Sequence, residues 1–157
     1  MLESSSTLKD FMTGYLQRKD VREKLNIPKG IPAFSDCNNQ MYTTYKAFRE
    51  ASIWIYNIML AYTDRYRVMH YSGDTDGAVA TLGTRRWIWQ QNWKVTQDWT
   101  PWTTDEDLSG YFEHYGTFTF ATIHGVGHMA PQWKRKDVTS LITKFIHNIP
   151  LDQELHW

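Results

Sequence analysis

Apolar and polar positions along the chain alternate between helical and strand periods. Over 8–30, Tyr15, Leu16, Val21 and Leu25 recur at helical spacing against the charged run Lys19-Asp-Val-Arg-Glu-Lys24. This predicts a helical segment that Pro28 and Gly30 bring to an end. Pro32, Asp36, Asn38 and Asn39 mark 31–40 as a loop. Tyr45, Phe48, Ile55, Met59 and Tyr62 then recur at steps of three, four and seven, which predicts one long helix over 41–62 with a single apolar stripe. After a turn at Thr63-Asp64, Tyr66-Arg-Val-Met-His-Tyr71 reads as a strand closed by the polar loop Ser72-Gly-Asp-Thr-Asp-Gly77. A helix is expected over 81–91. The Trp-rich stretch behind it has little period, and Pro101 makes Trp99-Thr-Pro-Trp102 a turn or hairpin. A second strand is expected over 117–123, rich in β-branched and aromatic residues and ended abruptly by Gly125 and Gly127. Val138, Leu141, Ile142, Phe145 and Ile149 mark a last amphipathic helix that starts near Asp137 and is stopped by Pro150.

Helix, strand, polar loop, helix, aromatic insertion, strand, loop and helix together predict an α/β protein. Two strands are too few for a complete sheet, so the sheet is expected to be incomplete within this chain. At 157 residues, with 41% apolar and 15% aromatic content, the chain has the size and the core of one domain. Eight Trp and nine Tyr exceed what a minimal core needs, so some aromatics are expected to line a pocket or a partner surface. Seventeen basic residues balance seventeen acidic ones with no basic tract, which argues against nucleic-acid binding and against an anionic membrane. No apolar run reaches the length of a membrane span, and the first seven residues lack the basic start and apolar centre of a signal peptide. Cys37 is alone, so no disulfide closes within the chain. A buried free thiol is its default state, and a bond to another chain is the alternative.

Chemistry concentrates at the ends of the two expected strands. An acid–base pair needs an imidazole and a carboxylate that fixes its tautomer, each held on a rigid edge. Asp76 and His128 fit that need: each follows a strand, and if the strands are neighbours both loops open on one rim, where open α/β sheets bind ligands. The alternatives are a structural Gly-Asp-x-Asp-Gly turn and a histidine satisfied locally. Asp74-Thr-Asp-Gly77 resembles the opening of a calcium loop, but the twelfth position is Arg85 where a glutamate is required. His124 and His128 are four apart, yet Gly125-Val-Gly127 is no helix that would turn both rings to one zinc. No phosphate-binding glycine loop is present. A nucleophile is also missing, since no serine stands in a Gly-x-Ser-x-Gly elbow and Cys37 lacks the glycine-flanked turn such a role demands.

These motifs resemble the C-terminal portion of the serine carboxypeptidases, an α/β-hydrolase family. The resemblance covers most of the chain: Tyr15 to Pro28, Asp36-Cys-Asn38, Tyr71-Ser-Gly-Asp-Thr-Asp-Gly77, Gly110-Tyr-Phe112 in the Trp-rich insertion, and Gly125-Val-Gly-His-Met-Ala-Pro131. It implies the C-terminal part of one α/β-hydrolase domain over 1–157, with an incomplete sheet that lacks the nucleophile half. It implies that Asp76 is the triad acid, that His128 is the general base and acid, and that Met129 borders the substrate's leaving group. It implies a peptide substrate, no metal or organic cofactor, and a partner segment or chain that carries the serine; it is also compatible with a homodimer. Without that serine the chain alone is expected to be inactive. Two-chain members of the family make this region a separate polypeptide, and the chain resembles such a second chain, although Met1 fits a truncated gene or an expressed fragment instead. Cys37 would then pair with a cysteine of the partner segment, in a lysosome, a vacuole or outside the cell.

The sequence departs from the family pattern at Ala80, where a proline is frequent, at Ala130, where Val is frequent, and at His124, where another basic residue or Asn is common. None of these removes a catalytic group. The other readings are a non-catalytic fragment or binding module with an exposed aromatic face, and a relative that uses the same scaffold for cyanohydrin cleavage.

Overall fold

In the computed structural model, residues 5–35, 37–47, 52–63 and 65–155 are described, with side chains from Asp10 onward. Asp36, Phe48 and Asp64, which the sequence singled out, lie outside the described residues. Those within Met1–Arg49 make one compact unit and those within Glu50–Trp157 another.

The first unit is helical. The segment expected over 8–30 is divided into α1 (Ser5–Gln17) and α2 (Lys19–Lys24), because Arg18 between them is extended at φ −56°, ψ 135°. Its guanidinium grips Asp20 through two bonds of 3.0 and 2.8 Å, which holds the break in place. Arg22 of α2 reaches forward to the carbonyls of Ile31 and Pro32 at 2.7 and 3.2 Å and folds the following loop back onto the helix. α3 (Asn39–Thr44) starts where Asn38 Oδ1 accepts the Met41 N–H at 3.0 Å, an N-cap that satisfies an orphan donor of the first turn. The single helix expected over 41–62 is not formed. Tyr45 is extended (ψ 126°), directly after two β-branched residues, Thr43 and Thr44. Cys37 is exposed in this unit, which corrects the expectation of a buried thiol; its carbonyl accepts the Ser35 hydroxyl at 2.7 Å.

The second unit holds the sheet. Its elements are α4 (Ile53–Leu60), β1 (Val68–Gly73), α5 (Thr81–Gln90), β2 (Gln97–Thr104), β3 (Asp107–Tyr115), β4 (Phe118–Ile123), α6 (Ala130–Trp133) and α7 (Arg135–His147). The strand order is β1-β4-β3-β2, with β1 parallel to β4 and the other pairs antiparallel. Four strands replace the two expected. Trp99-Thr-Pro-Trp102 is no turn but the middle of β2, where a proline without an N–H is tolerated because β2 is an edge strand. The hairpin turn is Asp105-Glu106, both at positive φ (52° and 67°), as a two-residue loop matched to strand twist requires. β3 escaped the sequence reading because Ser109, Gly110 and Glu113 interrupt its alternation, yet Ser109 and Glu113 are buried and partnered. Ser109 Oγ donates to Asp137 at 2.5 Å, and Tyr115 donates to Glu113 at 2.7 Å.

All six residues of β4 are buried, as in a strand covered on both faces. Ala121 and Ile123 face Trp102, Phe112, Val138 and Leu141 beneath α7, whereas Phe118 and Phe120 face Ile88 of α5 with Tyr56, Trp87, Trp93 and Trp99 around them. Of the surplus aromatics, Trp102 and Tyr115 are core, whereas Trp54, Trp89, Trp133, Tyr42, Tyr45 and Tyr62 stay exposed; each fully buried Phe contributes roughly 1.5–3 kcal/mol. Lys144 of α7 is fully buried as well, donating to the carbonyls of Thr103 and Leu151 at 3.1 and 3.0 Å. α7 ends at Asn148 in the left-handed conformation, two residues before Pro150.

Candidate active site

Parallel pairing of β1 with β4, with Gly73 opposite Ile123, sends the two loops off the sheet side by side. The close approach depends on Gly73. A Cβ there would overlap the carbonyl oxygens of Val126 and Gly127. The loops are tied by backbone bonds from the Asp74 N–H to the Ile123 carbonyl (3.0 Å) and from the Thr75 N–H to the Val126 carbonyl (3.1 Å). Behind them, the Thr81 hydroxyl at the start of α5 donates to the Gly73 carbonyl at 2.6 Å and lies 2.7 Å from the Ser72 hydroxyl, which fixes the helix against the end of β1.

On this rim the structure brings Asp76 and His128 together, Oδ2 to Nδ1 at 3.0 Å. The Asp76 side chain is 6% exposed and the His128 side chain 57%. The other carboxylate oxygen, Oδ1, accepts the N–H groups of Val79 (2.9 Å) and Ala78 (2.7 Å), an Asx-type turn that aims Oδ2 at the ring. The Val79 N–H, then the His128 ring and the Ala78 N–H, hold the Asp76 carboxyl below the usual carboxylate range. Asp76 is therefore ionised at neutral pH and only accepts, so Nδ1 of His128 carries the proton. In the neutral ring Nε2 is then the unprotonated, basic nitrogen.

A second pair stands beside the first. His124 Nδ1 lies 2.7 Å from Asp74 Oδ2, and the Gly125 N–H donates to Asp74 Oδ1 at 2.8 Å. Gly125 holds φ +70°, a conformation that suits glycine. This pair was not expected from Gly-Asp-x-Asp, although the equal number of acids and histidines in the two loops is a signal for it. Each histidine thus has its own carboxylate, and no three metal-ligating side chains converge among the described residues.

A small cleft of about 230 Å³ runs along the side of β1 up to the pair, lined by His70, Ser72, Asp76, Val79, Thr84 and His128 among others. Burial pushes the His70 imidazole below its ordinary value, so that ring is uncharged at neutral pH. A larger pocket, about 440 Å³, lies at the opposite end of β4 near Thr117 and Thr119 and shares no residue with the rim. Met129 directly follows His128, is 53% exposed, and immediately precedes the short helix α6. Cys37 belongs to the other unit.

Fold and rim define a mixed α/β protein that presents an aspartate–histidine pair at the carboxyl ends of two neighbouring parallel strands. The sequence pattern of the serine carboxypeptidase family matches residues 2–148, and the chain belongs to that family. It is 34% identical over 142 residues to serine carboxypeptidase-like 13 of Arabidopsis thaliana, covering 89% of this chain and 32% of that protein. To serine carboxypeptidase-like 32 of the same plant it is 30% identical over 147 residues, 91% of this chain and 31% of the relative. Identity to the lysosomal protective protein of Mus musculus is 27% over 143 residues, 88% and 30% of the two chains. The chain thus spans about a third of the length of these curated relatives. No described helix is long and apolar enough to cross a membrane.

Proposed function

We propose that this chain supplies the acid and the histidine of a serine-type carboxypeptidase of the α/β-hydrolase fold, the serine coming from a further segment of the longer protein. The observation that carries the reading is the bond between the ionised, nearly buried Asp76 and Nδ1 of the exposed His128 at 3.0 Å. Within the described residues β1 pairs with β4 alone, so its other edge is open, and a cleft lined by β1 residues reaches His128. The serine-bearing segment is proposed to lie there, and Met129 to border the leaving group. Exposed Cys37 is proposed to form a disulfide with that segment, in a lysosome, a vacuole or outside the cell; the mouse relative is named a lysosomal protein.

The serine oxygen attacks the carbonyl carbon of the last peptide bond while its proton passes to Nε2 of His128. Asp76 keeps the ring oriented and stabilises the imidazolium. Collapse of the tetrahedral adduct breaks the C–N bond, and Nε2 returns the proton to the departing amine. Water then attacks the acyl-enzyme ester with the same base, freeing the shortened peptide and restoring the serine. This chain alone is expected to be inactive. The test is hydrolysis of a blocked dipeptide by the protein joined to its serine-bearing segment. His128→Ala should lower kcat by about 10³-fold or more, and unchanged turnover overturns the assignment.

A further inference from the structure

We propose that Asp74 is a positioning residue for His128: it clamps the start of the histidine loop so that the ring stays within reach of Asp76. The inference rests on the reading of His128 as the base and goes beyond it, because Asp74 touches neither the ring nor the cleft.

His128 needs outside support. More than half of its side chain is exposed, and among the described residues its ring bonds to Asp76 alone. Its position is therefore inherited from the loop backbone, three residues after Gly125. As that backbone leaves β4, Asp74 holds it most extensively. Asp74 contributes its N–H to the Ile123 carbonyl, Oδ1 to the Gly125 N–H and Oδ2 to the His124 ring, three consecutive residues held from one side chain and its own amide. The carboxylate bonds are the short ones, 2.8 and 2.7 Å. From the other side, the His124 N–H donates to the Ser109 carbonyl of β3 at 2.8 Å, so the clamp is anchored across the sheet. Farther along, Thr75 holds the Val126 carbonyl and Val126 itself is buried. Without the Asp74 carboxylate, Gly125 keeps its unusual φ with no acceptor for its N–H, and the glycine is then free to leave that conformation. A displacement of order 1 Å carried to His128 breaks a 3.0 Å bond.

The test uses the full chain labelled with ¹⁵N-histidine. Long-range ¹H–¹⁵N spectra at neutral pH separate the Nδ1–H from the Nε2–H tautomer, with His128 assigned by its loss in His128→Ala. In the unaltered chain His128 should populate the Nδ1–H form. Asp74→Ala should lower that population by about threefold or more, while His124→Gln, whose amide still donates to Asp74, should keep it. An unchanged tautomer in Asp74→Ala overturns the proposal. Should that variant fail to fold, His124→Ala decides instead, since this side chain is half exposed and its loss removes one arm of the clamp: a reduced Nδ1–H population supports the proposal, an unchanged one overturns it. In the protein joined to its serine-bearing segment, Asp74→Ala should lower kcat on the order of tenfold and leave KM in place. Intact turnover in His128→Ala would defeat the catalytic reading, whereas the tautomer measurement judges the clamp without reference to turnover.

Discussion

Gly73→Ala isolates the contact on which the rim depends. At a strand position with room, this change stabilises a protein by about 0.4–1 kcal/mol, because the unfolded chain loses freedom. At Gly73 there is no room: the new Cβ lands on the carbonyl oxygens of Val126 and Gly127 and 2.9 Å from the Val126 carbonyl carbon. Carbon–carbon contacts prefer about 3.5–4.0 Å, so the loop must retreat by roughly 1 Å. The obstacles are backbone atoms, which no rotamer change can move aside. Overpacking of this kind costs about 1–3 kcal/mol, so a net loss of about 1–2 kcal/mol is expected after the unfolded-state gain. That corresponds to a fall in Tm of about 2–8 °C. Gly77→Ala is the internal control in the same loop, since a Cβ there meets nothing within 4 Å. Thermal unfolding followed by circular dichroism, together with the His128 tautomer spectrum, reads both consequences. The two variants should behave oppositely: Gly73→Ala melts lower and loses the Nδ1–H form, while Gly77→Ala melts at or above the unaltered protein. If Gly73→Ala melts as high as Gly77→Ala and keeps the His128 signal, the close approach of the loops is not what sets the pair.

Two further outcomes concern the framework of the second unit. Lys144→Met preserves volume but leaves the carbonyls of Thr103 and Leu151 without their donor, so chemical denaturation should show a loss of about 1–3 kcal/mol; a variant more stable than the parent would mean that the burial cost, which pushes the Lys144 amine below its ordinary range, outweighs its bonds. Burial also pushes the His70 and His114 imidazoles below their ordinary 6.5. The unfolded chain then takes up protons near pH 6.5 that the folded chain resists, so stability is full above that pH and falls as pH drops through it, by at most about 1.4 kcal/mol per pH unit for each group. Urea midpoints at pH 7.5 and 5.5 check this: the lower pH should give the lower midpoint, and His70→Phe should flatten the difference.

The sequence disclosed the parts of this protein whose pattern is governed by one period and one environment. β4 is apolar and β-branched along its whole length because both of its faces are covered, and α7 keeps a clean stripe because one face is not. The rim was legible for the same reason: glycines and aspartates gathered at the end of a hydrophobic run leave few conformations open. β2 and β3 were hidden because their burial is paid for by side-chain partners. Ser109 meets Asp137, Glu113 meets Tyr115, and the Trp102 indole donates to the Thr122 carbonyl at 3.1 Å, none of which a local period can announce. The helix expected over 41–62 failed from the opposite cause, since a stripe at helical spacing says nothing about whether the backbone continues through Thr43, Thr44 and Tyr45.

The same contrast explains why two aspartate–histidine pairs stand side by side and why they are not equivalent. Parallel strands in register deliver their loops at one height, so Asp74 and Asp76, two residues apart, meet His124 and His128, four apart. The first pair sits where the loops still share backbone bonds, and its carboxylate spends its second oxygen on the facing loop's amide. The second lies beyond the last of those bonds, from Thr75 to Val126, and its carboxylate turns that oxygen to its own loop. One carboxylate is thereby committed to joining the loops and the other to presenting a single ring whose far nitrogen is free. An aspartate that is sheltered, ionised and locally satisfied, opposite an imidazole open to solvent, is the division of labour that the proposed proton transfer to and from a serine would use.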